Sequence, residues 1–339
     1  MLAALLTSVV LVWSALSFVE SGQSGRPVSV KMTSTASTVG MVLPAPAVKK
    51  DRSRVKAKQR KRLRQLRLEA RQARQRGSVL EGHIDSTGFR VSSFNVLGHK
   101  HTAGKRSKKA SGPQRTRWAF DLLKADGVSV VGLQEFQIQQ YREFQRIAGS
   151  SWNTYPGDTL GTRIAVHNSI AWRSDTWELE SADTIDIPYF GGVPAKMPVI
   201  QLRHKPTGRL VWFANFHNPA DTRGPAQHWR DAAKRLQVDL VNRLTNDGTP
   251  MILTGDMNER AGYFCSITST STMRSASGGS TGVPCLPPRG MGVDWIFGSV
   301  GLEFSNYIST RGGTIPKITD HPYVAATVSF QDLKSADVN

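Results

Sequence analysis

The sequence predicts a mixed α/β domain in which layers of β-sheet are covered by helices. Short apolar runs of strand type outnumber amphipathic helical stretches, and helical stretches lie between some of these runs. The chain has 339 residues, of which 39% are hydrophobic, so it can bury a large core. The same composition excludes a wholly disordered or collagen-like chain.

Three elements open the folded part of the chain. Residues 89–98, FRVSSFNVLG, alternate as a strand does. Residues 113–126 begin with proline and carry large apolar side chains on one side, which predicts a helix. Residues 128–136, VSVVGLQEF, form an apolar run with a polar end, which predicts a buried strand. Further strands are predicted at residues 164–172, 199–204, 210–216, 251–253, 294–297 and 323–330, and a further helix at residues 225–244.

Composition divides the chain into five regions. Residues 1–22 contain an uncharged apolar stretch, which predicts a secretory signal peptide or a membrane anchor. A buried helix of a cytosolic domain is the alternative, but the residues that follow offer no amphipathic element to pack against it. The other four regions are a Ser-, Thr-, Pro- and Gly-rich linker (residues 23–48), a basic helical or disordered segment (49–81), a globular domain (82–332) and a tail (333–339).

The positive charge is concentrated outside the globular domain. The net charge is +18, of which residues 49–76 contribute +12 and residues 77–339 only +5. Such a segment could hold nucleic acid, an acidic polymer or lipid headgroups through counterion release. It could equally be a solubilising spacer between the N-terminal segment and the domain.

The two cysteines, Cys265 and Cys285, flank a loop rich in Ser, Thr and Gly. Two cysteines exclude a cysteine-rich zinc site and a disulfide-dense miniprotein. In an exported protein we expect them to form a disulfide, and the alternative is a pair of buried free thiols.

Polar side chains stand at the ends of the predicted strands. Strand ends that converge on one face bring side chains from distant sequence positions into one rigid site. The set contains oxygen ligands for a hard divalent cation and two imidazoles, but no suitable nucleophilic thiol. Its members are Asn95, Glu135, His217, Asp256, Asn258, Asp294, Asp320 and His321.

Six motifs surround these residues in a characteristic order. Taken together, SFNV, LQE, FH, TGDMNE, VDWIF and TDH resemble the endonuclease/exonuclease/phosphatase superfamily, which includes pancreatic-type deoxyribonuclease, abasic-site endonucleases, bacterial sphingomyelinases and inositol polyphosphate phosphatases. The resemblance covers about residues 89–330. It implies a four-layer α/β (α+β) sandwich, in which two mainly antiparallel sheets pack face to face with helices outside. It also implies metal-dependent hydrolysis of a phosphoester.

The resemblance assigns metal binding to Asn95, Glu135 and Asp320, with Mg²⁺ as the expected ion and Mn²⁺ or Ca²⁺ as alternatives. Glu135 is the strongest candidate, because a carboxylate directly after an apolar strand is costly unless a cation pairs with it. Asn95 would orient that carboxylate and contact metal or phosphate through its amide. Asp320 would lie toward the metal.

The resemblance assigns catalysis to five further residues. Asp256 would orient or deprotonate the attacking water, and the Asn258 amide would donate to a phosphoryl oxygen. His321 would be the catalytic histidine near the C-terminus, with Asp294 fixing its tautomer. His217 would stand beside the leaving oxygen as a general acid. His99 and His101 could also reach a phosphate, but an exposed basic loop explains them equally well.

These assignments predict an exported Mg²⁺-dependent phosphodiesterase, foremost a nuclease, that uses direct attack by water. The alternatives are a sphingomyelinase-like phospholipid hydrolase, a phosphomonoester hydrolase, and a catalytically idle module that binds a polyanion. We expect a monomer that is secreted or extracellular, or else anchored in a membrane with an external catalytic domain. Its expected partners are a phosphoester substrate, including nucleic acid, and an anionic surface or polymer at residues 49–76. We expect a membrane contact only if the N-terminal segment is retained.

Overall fold

The computed structural model describes residues 88–104, 107–161, 167–281 and 284–331. The predicted signal peptide or anchor, linker, basic segment and tail lie outside these residues, as do positions 82–87 and 332 of the predicted domain. Within the described ranges, no helix combines the length and apolar character needed to cross a membrane.

The described part of the chain contains twelve strands and five α-helices. The strands are β1 (Gly88–Asn95), β2 (Val130–Gln134), β3 (Trp152–Tyr155), β4 (Ser169–Arg173), β5 (Trp177–Pro188), β6 (Pro194–His204), β7 (Leu210–His217), β8 (Met251–Asp256), β9 (Arg274–Ser275), β10 (Asp294–Gly298), β11 (Leu302–Thr310) and β12 (Tyr323–Phe330). The helices are α1 (Gly112–Ala125), α2 (Ile138–Ala148), α3 (Gln227–Leu244), α4 (Ala261–Thr270) and α5 (Ile315–Ile318).

The strands form two six-stranded sheets. The first has the order β11-β12-β1-β2-β4-β3 and the second the order β5-β6-β7-β8-β10-β9. Each sheet contains one parallel pair, β1 with β2 and β7 with β8, and its other pairs are antiparallel. The parallel pairs matter for the site, because both strands of such a pair end at the same edge.

Three hydrophobic clusters define four layers. One cluster fills the space between the sheets, with Phe89 and Val91 of β1 packed with Phe213 of β7. The second joins the first sheet to α1, α2 and α5, and the third joins the second sheet to α3 and α4. The helices therefore cover the outer faces of two packed sheets, which confirms the predicted four-layer sandwich.

The helix starts follow local sequence signals. Ser111 caps α1 by accepting a hydrogen bond from the Gln114 amide at 3.4 Å, and Pro113 lies in the first turn. At the start of α2, Gln137 and Gln140 form a reciprocal capping box. Helices α2, α4 and α5 were not predicted from the sequence. The N-terminal box of α2 uses two glutamines in place of the more common serine or threonine with glutamate.

The strands that the sequence analysis predicted occupy the sheet interiors, and the strands it missed lie at the four edges. The missed strands are β3, β5, β9 and β11, and each is the last strand on its side of a sheet. Strand β1 is also shorter than predicted, because Leu97 adopts a positive φ of 54° and the strand ends at Asn95. Cys265 and Cys285 form the predicted disulfide.

Candidate active site

Strand register brings most of the predicted site residues to one edge of the two sheets. Asn95 and Gln134 are paired at the ends of β1 and β2, so Glu135 follows immediately beside Asn95. His217 and Asp256 are paired at the ends of β7 and β8, and Asp294 opens β10 opposite Asp256. The sheets pack face to face, and their carboxyl-end residues meet across the interface.

Asn95 links the two sheets at this edge. Its side chain is completely buried, and Nδ2 donates at 3.0 Å to Oε1 of Glu135 and at 3.0 Å to Oδ2 of Asp256. Its Oδ1 accepts from the Leu97 amide at 3.0 Å. Asn95 therefore orients both carboxylates, and its own oxygen is occupied by the backbone.

Glu135 is held as an anion by several donors. Its Oε2 accepts from the Gly98 amide at 2.8 Å and lies 3.4 Å from Nε2 of His101. Burial alone would raise the pKa of Glu135, but nearby His217, the Gly98 amide and Asn95 outweigh burial and hold the pKa below its usual value. The side chain is 22% exposed, so the carboxylate can be approached from solvent.

Asp256 lies between the two catalytic imidazole candidates. Its Oδ2 is 3.5 Å from Nε2 of His217 and 3.7 Å from Nε2 of His321. Its Oδ1 accepts from the backbone N–H of Asn258 at 3.0 Å. A carboxylate that is 1% exposed and faces two imidazoles can exchange protons or stabilise imidazolium charge.

His321 forms an ion pair with Asp294. Its Nδ1 lies 2.9 Å and 3.1 Å from the two carboxylate oxygens of Asp294. Burial would lower the pKa of His321, but the hydrogen bond and charge of Asp294, helped by Asp256, raise it to about 9. His321 is therefore an imidazolium at neutral pH, with Nε2 directed toward Asp256.

His217 receives a partner that the sequence analysis missed. The hydroxyl of Tyr189 lies 3.4 Å from Nδ1 of His217. Burial, with the charges of Glu135 and Asp256, raises the pKa of Tyr189, so its hydroxyl stays protonated and can donate to Nδ1. A neutral His217 would then carry its proton on Nε2, the nitrogen that faces Asp256.

Asn258 is fixed by the segment that follows His217. Its Nδ2 donates to the carbonyl of Asn218 at 2.9 Å, and Asn218 Oδ1 accepts from Nε2 of Gln237 at 2.7 Å. Asn218 and Gln237 are both fully buried. The side-chain amide of Asn258 is thus held by the segment after β7, which α3 fixes in turn through Gln237.

Strained backbone conformations concentrate in this region. In the described part of the chain, four non-glycine residues have positive φ. Three of the four belong to the site region, namely Leu97, Glu135 and Asn258. Each such conformation costs on the order of 1–3 kcal/mol, and it is typical of functional sites. The strain therefore supports a functional role for the residues that the strand ends present.

A buried arginine ties two loops of the site together. Arg115 of α1 is 0% exposed, and its guanidinium donates to the carbonyls of Gly98 at 3.2 Å and Ile318 at 2.9 Å. Gly98 also donates its backbone N–H to Glu135, and Ile318 lies two residues before Asp320. Arg115 therefore holds both segments beside the site. Burial lowers the pKa of Arg115 to about 10, against the opposing charges of Glu135 and Asp320, so it remains a cation at neutral pH.

Asp320 stands apart from the hydrogen-bonded network. It is exposed, and within the described ranges its carboxylate has one hydrogen bond, a 3.4 Å contact from the Thr319 hydroxyl. Its predicted part in metal binding therefore has no contact with Glu135 or Asp256 to support it.

The donor chemistry suits a divalent cation. Glu135 is an anionic, solvent-accessible carboxylate, and potential ligand atoms of Asp256, Asp294 and His321 lie within 4.8 Å of one another. Carboxylate oxygens are the ligands that Mg²⁺ prefers. Glu135 is a better metal ligand than His321, because the pKa of His321 is raised to about 9 and a protonated imidazole has no free lone pair for a metal ion.

Comparison with known proteins identifies the class to which this fold and site belong. The sequence profile of the Endonuclease/Exonuclease/phosphatase family matches residues 92–321, and the chain belongs to that family. Members of the family hydrolyse phosphoester bonds and generally use divalent metal ions. No curated protein sequence matches the chain.

Solved structures show the same fold at low sequence identity. A family member from Bacteroides thetaiotaomicron has a TM-score of 0.59 and 17% identity, over 73% of this chain and 99% of that one. The human Nocturnin catalytic domain with bound sulfate has a TM-score of 0.57 and 17% identity, over 73% and 95%. A mannosyl-6-phosphatase from Bacteroides thetaiotaomicron has a TM-score of 0.55 and 15% identity, over 71% and 100%.

Proposed function

We propose that this phosphoesterase is an exported, Mg²⁺-dependent phosphodiesterase that cleaves nucleic acid by direct attack of water. The observation that carries the proposal is the position of Asp256 between His217 and His321, with Asp294 paired to His321. This set supplies a carboxylate, an imidazolium and a second imidazole in one buried cluster. A covalent enzyme intermediate is not needed.

Each group has a definite part in the proposed reaction. Asp256 orients the attacking water and accepts its proton as the new oxygen–phosphorus bond forms. The Asn258 amide and the His321 imidazolium stabilise the charge that grows on the phosphoryl oxygens. The bond from phosphorus to the leaving oxygen breaks, and His217 delivers a proton to that oxygen. When bound at Glu135, Mg²⁺ would supply neutralisation of phosphoryl charge.

Nucleic acid is the substrate that charge favours. Residues 49–76 carry a net charge of +12, and the rest of the chain after them adds +5. A basic segment joined to the domain would raise the local concentration of a polyanion by counterion release. We propose this tethering role for residues 49–76, which lie outside the described residues.

Export is supported by the cysteines. The disulfide between Cys265 and Cys285 is of a kind that persists in oxidising environments. Together with the uncharged apolar stretch in residues 1–22, it supports a secreted protein or one anchored with its catalytic domain outside.

The test is hydrolysis by the purified protein of plasmid DNA, RNA, sphingomyelin and a sugar phosphate, with Mg²⁺ or with EDTA. We expect Mg²⁺-dependent cleavage of DNA or RNA, abolished by EDTA and lost in His321→Ala. The exposed Asp239→Asn of α3 is the matched control and should keep full activity. Cleavage of only sphingomyelin or only the sugar phosphate would replace the nuclease proposal, and polyanion binding without any hydrolysis would favour an idle binding module.

A further inference from the structure

An aromatic turn borders the site on the side of His217. This turn connects β5 to β6 and contains the short 3₁₀ segment Phe190–Gly192. The ring of Tyr189, whose hydroxyl contacts His217, lies 4.5 Å from the ring of Phe190 between centroids. Phe190 is only partly buried, so part of its ring is open to solvent beside Tyr189.

An exposed arginine stands over this turn. The guanidinium carbon of Arg223 lies 4.9 Å from the ring centroid of Phe190. Among the described residues, no carboxylate forms an ion pair with Arg223. An uncompensated planar cation on an exposed aromatic face is suited to a planar, electron-rich and anionic ligand.

Hydrogen bonds, chiefly from α3, hold the loop that carries Arg223. Arg230 of α3 is 5% exposed, and its guanidinium contacts Asp221 at 3.1 Å and the Pro219 carbonyl at 2.9 Å. Asp221 also accepts from the Ala226 amide at 2.8 Å. The backbone beside Arg223 is therefore held in place, while its own side chain remains exposed.

The aromatic turn is also held against α3. Gly192 has a φ of +78°, and a Cβ atom there would lie 2.6 Å from the ring of Trp229. The glycine thus allows both the left-handed conformation and the close approach to the helix. Because the turn is already packed against α3, the position of Phe190 is set before a substrate binds.

We propose that Phe190 and Arg223 form a stacking subsite for the nucleobase next to the scissile phosphate, on the leaving-group side marked by His217. The inference rests on the proposed nuclease function and names the part of the substrate that this region recognises. An aromatic face with a stacked guanidinium binds any base through its π-face, so the subsite contributes affinity with little sequence preference. Loss of one base contact of this kind is expected to cost about tenfold in kcat/KM.

The test uses substrates with a single phosphodiester bond. Thymidylyl-thymidine is compared with two analogues in which one or the other nucleoside is replaced by a baseless tetrahydrofuran residue. The wild type should hydrolyse about tenfold more slowly the analogue that lacks the base of the leaving nucleoside, which the reaction products identify; an equal loss on the other analogue alone would contradict the proposed side. Phe190→Ala and Arg223→Gln should lower kcat/KM for the full dinucleotide about tenfold and for the analogue that lacks the leaving nucleoside's base by less than twofold.

Two controls separate recognition from structure. Val193→Ala changes an exposed apolar residue of the same turn and should leave all three rates unchanged. Phe190→Tyr keeps the aromatic face and should preserve the preference for the base. Equal losses on all three substrates, or no loss at all, would overturn the subsite. If the wild type cleaves sphingomyelin or a sugar phosphate but neither nucleic acid nor any of these three substrates, the nuclease proposal fails and the subsite fails with it.

Discussion

The interface between the two sheets differs sharply from one end to the other. At the end remote from the site, Trp177 packs edge-on against Phe89 and Phe213, with ring centroids 4.8 Å and 5.3 Å away. At the site end, fully buried Asn215 accepts from Gln134 at 2.6 Å and from Thr254 at 3.1 Å. Both ends are buried, but aromatic contacts dominate one and directional hydrogen bonds dominate the other.

This difference separates two roles of the interface, stability of the sandwich and positioning of the site residues. Apolar contacts are non-directional, so the aromatic end stabilises the sandwich without fixing individual atoms. Hydrogen bonds fix distance and angle, so the polar end sets the strand ends that carry Asn95, His217 and Asp256. Changes at the aromatic end should therefore cost stability, and changes near the site should cost turnover.

The largest expected effect is at the Asp294–His321 pair. Asp294→Asn keeps the shape of the side chain but removes the charge that stabilises the imidazolium. We expect kcat to fall about 10³-fold, equivalent to about 4 kcal/mol in the barrier, with the KM little changed. Steady-state kinetics on the best phosphodiester will measure this loss. A decrease below tenfold would show that His321 does not act through Asp294.

The aromatic end should respond in the opposite way. Phe213→Ala removes a buried ring that is 2% exposed and packs against Trp177. We expect the free energy of unfolding to fall by about 3–4 kcal/mol, with kcat unchanged at a temperature where the variant is folded. Urea denaturation and kinetics on the same samples will separate the two quantities. Phe213→Leu is the milder control, and a loss of turnover in it would contradict the separation of the two roles.

Asn215 sharpens the comparison, because it belongs to the interface and also supports the site. Its Nδ2 donates to the carbonyls of Leu133 at 2.9 Å and Ser169 at 3.1 Å. Asn215→Leu removes both of these hydrogen bonds and the oxygen that accepts from Gln134 and Thr254, so we expect a loss of about 2–3 kcal/mol in stability and about tenfold in kcat. Denaturation and kinetics should show both losses together. A stability loss alone would assign Asn215 to the core.

The pH dependence of stability gives the smallest expected effect. The pKa of His321 is raised to about 9, so its ion pair contributes stability that is complete below pH 6.5 and is lost as the pH rises through about 9. Relative to His321→Gln, the wild type should lose about 2 kcal/mol over that interval, after allowance for partial exposure. Urea denaturation between pH 6 and pH 10 will test it. A difference that stays constant with pH would show that the pair is not ionised.

The sequence predicted the interior of the sheets better than their borders. Interior strands such as β2 are covered on both faces, and their apolar runs are recognisable. Strand β5, at an edge, exposes Glu178, Glu180 and Asp183, so its sequence resembles a loop. The pattern of apolar residues in the sequence indicates which strands are buried. An exposed edge strand lacks that pattern, so it is recognised only when the strand it pairs with is known.

The sequence predicted those residues of the candidate site that lie within recognisable motifs. Seven of the eight residues named from the sequence meet in one network, and Asp320 lies outside it. Tyr189 and Arg115 were missed, because a tyrosine after an edge strand and an arginine within a helix carry no local signal of their contacts with His217 and Gly98. Such supporting residues become visible only when the chain is folded.

The most direct test of the account is the rate of phosphodiester hydrolysis by Asp256→Asn, measured beside wild type and the control Asp239→Asn. Asp256 joins both sheets, both imidazoles and Asn95, so its charge is central to the proposed chemistry. The account predicts a loss of several hundredfold in kcat, on the order of 10²–10³, while the free energy of unfolding stays within about 1 kcal/mol of the wild type. Hydrolysis at the wild-type rate by Asp256→Asn would contradict the assignment of this cluster as the active site.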